Sequence, residues 1–89
     1  MSTVMLPAAV TMQNASAALR SVEAAVAQGG DLVVDASALA ELDTSAVALL
    51  LQARRLAQAK GLAFRLQAPP AKLVALAQLY GVEPLLSAA

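Results

Sequence analysis

At 89 residues and 9.0 kDa the chain has the length of one domain, and residues 1–89 read as a single unit without linker or internal repeat. Its 60% hydrophobic and 13% charged residues exclude a disordered tail, while six Lys plus Arg against six Asp plus Glu leave zero net charge and no basic run, so nucleic acid is not an expected partner. With neither Cys nor His there is no thiolate or imidazole ligand, no disulfide, and no base for a Ser–His or Cys–His pair, so no metal, cofactor or catalytic residue is expected.

Residues 1–19 carry no charge, yet Thr3, Pro7, Thr11, Gln13, Asn14 and Ser16 interrupt the stretch, and each is costly inside hydrocarbon. No span is predicted. The Ala15-Ser16-Ala17 triplet lacks the basic leader of a secretory signal, so a cytoplasmic chain without direct membrane insertion is expected. Abundant Ala, Leu and Val with only Phe64 and Tyr80 as aromatics predict a small, tight core and some apolar surface left for a partner.

In chain order, Val4-Met5-Leu6 closed by Pro7 predicts an edge strand, since proline cannot donate to a ladder. From Asn14 to Gln28, Ala18, Leu19, Val22, Ala25 and Val26 recur at helical spacing and Gly29-Gly30 ends the helix. The β-branched run Leu32-Val33-Val34 predicts the central strand. Ser37–Leu42 reads as a short connection. Asp43 then caps the strongest helix, which reaches Lys60 and stops at Gly61. Ala63–Gln67 alternates, with Phe64 and Leu66 on one side and Arg65 on the other, and predicts a third strand. A last helix opens near Pro70, carries Leu73, Leu76, Ala77 and Tyr80, and halts at Gly81, with Pro84 barring continuation. Strand and helix alternate three times. That order predicts an α/β layered domain with right-handed crossovers.

No phosphate-cradling motif is present, because Gly29-Gly30 follows a helix instead of opening one. Asp35 and Asp43 invite comparison with a metal-binding or acid–base pair, but both stand where aspartate satisfies local backbone donors. The informative segment is the helix after Asp43. At helical pitch Ala46, Leu49, Leu50, Ala53 and Ala57 share the core face, while Thr44, Val47, Ala48, Leu51, Arg55 and Gln58 form a second stripe directed away from it. Either another helix packs on that stripe or a partner protein docks there, with Arg55 at the rim. Thr44 and Ser45 occupy the first turn, where free N–H groups favour negative charge.

The segment Leu32-Val33-Val34-Asp35-Ala36-Ser37, followed by Leu42-Asp43-Thr44-Ser45-Ala46-Val47-Ala48-Leu49-Leu50-Leu51, resembles the STAS domain: its strand, its Asp-Leu-Ser turn and its Asp-[Ser/Thr]-x-Gly-Leu helix start. Gln58-Ala59-Lys60-Gly61 and the run from Ala71 to Val82 resemble MlaB, the STAS component of a phospholipid-transport ABC system, so that residues 31–86 carry the likeness. The chain departs from the pattern at Ala46, where Gly is usual, and in a short N-terminus lacking one strand of the usual leading hairpin. The resemblance implies a STAS-like single domain with a small mixed β-sheet packed against helices, and a non-catalytic accessory subunit on the inner membrane's cytoplasmic side, bound to the MlaF-like ATPase subunit of a phospholipid-transporting ABC system that serves outer-membrane lipid asymmetry. By the same resemblance Thr44 lies in the ATPase contact. Ser45 falls on the regulatory phosphorylation site of anti-sigma-factor antagonists, the alternative role.

Overall fold

The computed structural model describes residues 2–86. Its elements are β1 (Ser2–Met5), β2 (Ala9–Val10), α1 (Ala15–Ala27), β3 (Leu32–Asp35), β4 (Glu41–Leu42), α2 (Thr44–Ala59), β5 (Phe64–Gln67), α3 (Ala71–Leu79) and α4 (Glu83–Leu86). The unbroken apolar run of β3 is buried along its whole length because β3 is the centre strand of a sheet ordered β1-β3-β5. Val4 faces Val34 and Val34 faces Leu66 across the parallel register. Residues alternate between faces along a strand. Val4, Leu32, Val34 and Leu66 therefore look toward the helices and join one core with Val22 and Val26 of α1 and Leu49, Leu50 and Ala53 of α2. Thr3, Arg65 and Gln67 remain exposed on the other face.

The α/β arrangement is the expected one. All pairings among the described residues are parallel, so the antiparallel part of a mixed sheet is not found among them. Successive strands of the main sheet are joined through helices, and a crossover of this kind returns the chain in the same direction. Nor does a leading hairpin occur among the described residues, where β1 pairs with β3 and β2 with β4.

One other expectation changes. Ser37–Leu42 is not only a connection: Glu41–Leu42 forms β4, paired with Ala9–Val10 and steadied by Ala40 and Glu41 N–H groups that donate to the Ala8 carbonyl at 2.8 and 2.9 Å. α3 ends at Leu79, before Gly81, as expected, and Pro84 falls in the first turn of the separate helix α4, where its missing N–H costs nothing.

Local signals set the ends of α2. Asp43 is its N-cap, and Gly61, at φ +70°, takes the left-handed position that ends it. There the Leu62 N–H donates to the Ala57 carbonyl at 2.8 Å and the Gly61 N–H to Gln58 at 3.0 Å. α3 ends in the same way, with Val82 N–H to the Ala77 carbonyl at 2.9 Å, and this turn carries Tyr80 and Val82 back toward α2.

Candidate functional site

Because α2 follows the short strand β4, which pairs with β2, its first turn stands next to the β2–α1 loop. Asp43 joins the two. One carboxylate oxygen accepts the Ser45 N–H at 2.8 Å, capping α2, and the other accepts the Met12 N–H at 3.1 Å. These two donors, Ser45 first, hold the Asp43 carboxyl below the usual carboxylate range. Asp35 is nearly buried and is lowered in the same way by the Ser37 N–H at 2.8 Å. Each carboxylate thus serves a neighbouring turn. Among the described residues no cluster of three or more His, Cys, Asp or Glu is placed to hold a metal ion.

The second stripe of α2 is exposed only in part. Thr44, Ala48, Arg55 and Gln58 face solvent, Ser45 and Leu51 are half-buried, and Val47 is buried at 5% exposure. Val47 is a correction to the expected outward stripe. At 100° per residue it lies only about 60° around the helix from Leu50, which is fully buried, so packing from the α3–α4 turn reaches it. Ala46, where the pattern usually has Gly, is wholly buried, and the core accommodates its methyl.

Two open grooves flank the start of α2, and Ala48 borders both. One is lined by Thr44, Val47, Ala48, Leu51, Tyr80 and Val82. The other lies between α1 and α2 and includes Met12, Leu19, Ser45, Ala48, Leu49 and Gln52. Arg55 and Gln58 line neither; they lie further along the helix, and Gln58 accepts a hydrogen bond from the Arg54 guanidinium at 3.4 Å.

Met12 and Tyr80 border this site although spacing did not place them there. They are 80% and 54% exposed, on either side of a ridge made of the small residues Thr44 and Ala48. Methionine and tyrosine are enriched at protein interfaces, where they supply apolar area on adaptable or semi-polar side chains. Spacing put Tyr80 in line with Leu73, Leu76 and Ala77, but past the end of α3 it turns out to solvent, and Met12 showed only as an apolar residue just before a helix start.

In its chemistry the site offers small, mostly apolar surface, the Thr44 and Ser45 hydroxyls, and a first-turn N–H already engaged by Asp43. It suits surface contact better than bond-making. No helix among the described residues is long and apolar enough to cross a membrane.

A family model described as "Mlab, STAS domain" matches residues 2–87. No curated protein matches the chain closely enough to count as a relative. With the match running from the first strand through α4, beyond the residues 31–86 that carry the motif likeness, the chain belongs to the STAS-domain family and resembles MlaB.

Proposed function

We propose that the chain is a non-catalytic cytoplasmic accessory subunit that binds the MlaF-like ATPase subunit of a phospholipid-transporting ABC system through the start of α2, and is held at the inner membrane by that partner. The observation that carries this reading is the exposed Thr44–Ala48 ridge between two apolar grooves, in a chain matched along nearly its whole length by the MlaB STAS model. Met5, Leu79 and Leu85 are also exposed but line neither groove, whereas a contiguous exposed apolar patch commonly marks a partner site. Here Met12, Ala48, Leu51 and Tyr80 gather around α2.

The docking face consists of Thr44, Ser45, Ala48 and Leu51 with Met12 and Tyr80 beside them, and Arg55 and Gln58 extend it along the helix. Val47 supports it from beneath. Thr44 and Ala48 present no long side chain, so a partner helix or loop can approach the α2 backbone closely. Co-expression with the ATPase and permease subunits of an Mla-type transporter tests the reading: the chain should co-purify with the ATPase. A chain that elutes alone, or that captures an anti-sigma kinase instead, refutes it. Catalytic turnover by the isolated chain would also refute it.

A further inference from the structure

Arg54 and Arg55 stand in the second half of α2, just before its last turn, without either of the usual intramolecular reasons for a helical cation. No Asp or Glu occurs between Thr44 and Lys60, so neither arginine has an ion-pair partner three or four residues away. Nor do they answer the helix dipole, whose effect is confined to the terminal turn, because the last turn of α2 contains no basic residue. Arg55 is exposed and Arg54 half-buried, and among the described residues Arg54 makes one weak hydrogen bond, to Gln58 at 3.4 Å. On a chain of zero net charge, the helix bordering both grooves therefore carries positive charge alone. Asp43, at its start, has both carboxylate oxygens committed to backbone N–H groups.

We infer that the protein surface met by α2 is divided along its length, apolar and close-fitting opposite Thr44–Leu51 and acidic opposite Arg54–Arg55. The inference rests on the docking reading above and adds the chemistry of the partner to it. From Thr44 to Arg55 is eleven residues, so the acidic patch lies roughly 16 Å along the helix direction from the contact with Thr44. Charges at the border of an interface mainly steer encounter, so the arginines should set the association rate and its salt dependence more than the lifetime of the complex.

The test measures association and dissociation of the full chain with the purified ATP-binding subunit of an Mla-type transporter, for wild type and for the double variants R54E/R55E, R54A/R55A and R54K/R55K, with T44R alongside. Charge reversal should slow association about tenfold at moderate salt, with dissociation little changed. The alanine pair should also flatten the salt dependence, and the lysine pair should stay close to wild type. Melting temperatures show whether each variant is folded. If T44R abolishes binding while charge reversal leaves association and its salt dependence unchanged, the acidic patch is wrong and the docking face stands. If neither T44R nor charge reversal has an effect, the docking face itself is wrong. Phosphatidylglycerol vesicles form a separate arm: charge reversal that releases the chain from vesicles yet spares ATPase association would assign the arginines to lipid and overturn the inference.

Discussion

Val47→Ala separates a buried stripe from an exposed one. Val47 is 5% exposed and borders the groove that Tyr80 and Val82 also line, so the substitution removes two methyl-sized groups from contact with the core. At about 0.8 kcal/mol per buried methylene, plus a part for the space left behind, the loss comes to about 2 kcal/mol. A small domain's urea slope lies at the low end of about 1–3 kcal/mol/M, so the unfolding midpoint should fall by roughly 1–2 M while the slope stays the same. Were Val47 on a solvent-facing stripe, the change would be within about 0.5 kcal/mol. A midpoint shift of less than about 0.3 M would mean that the α3–α4 turn does not pack on α2 as described, and would refute the assignment of Val47 as a support.

Ala68, at φ +53°, is the one non-glycine residue with positive φ among the described residues, so Ala68→Gly should raise stability by about 0.5 kcal/mol, read as a higher melting temperature; a decrease would contradict the strain. Asp43 and Asp35 have lowered carboxyl pKa values in the folded chain, so they contribute stability that is present above their unfolded pKa, near 4, and is lost as pH falls through the lower folded values. Melting temperature should therefore drop below about pH 4, and Asp43→Asn should flatten that drop; an unchanged acid limb would remove Asp43 from the linkage. Ser45→Asp places a second carboxylate beside Asp43, whose oxygen already accepts the Ser45 N–H, and should weaken partner binding more than Ser45→Ala does. Equal affinities would leave Ser45 as a turn residue and remove the case for a phosphorylation switch.

Much of this fold is legible in local chemistry. Asp43 and Gly61 mark the ends of α2 because a cap and a left-handed stop act within one turn. Leu32-Val33-Val34 announces a buried strand because a covered strand has no polar face to alternate with. What stayed hidden depends on partners distant in sequence. β2 and β4 are two residues each, too short to show a period, and exist through one another. Val47 faces away from the core by a stripe count but is buried by what the α3–α4 turn brings over it. The docking face was half visible for the same reason. Thr44, Ala48 and Leu51 sit on one helix and follow its pitch, whereas Met12 arrives through a hydrogen bond between its N–H and Asp43, 31 residues away, and Tyr80 through the turn ending α3.

The central claim is that the first two turns of α2 form the surface by which this STAS domain binds an ATPase subunit. Thr44→Arg and Ala48→Arg test it most directly, because both residues are exposed and project into the space a partner must occupy. The measurement pairs a melting curve of each variant with titration against the purified ATP-binding subunit of an Mla-type transporter. The account predicts melting temperatures close to wild type and a loss of affinity of at least a hundredfold, the consequence of a long, charged side chain buried without a partner in a close-packed contact. Wild-type affinity in both folded variants would contradict it.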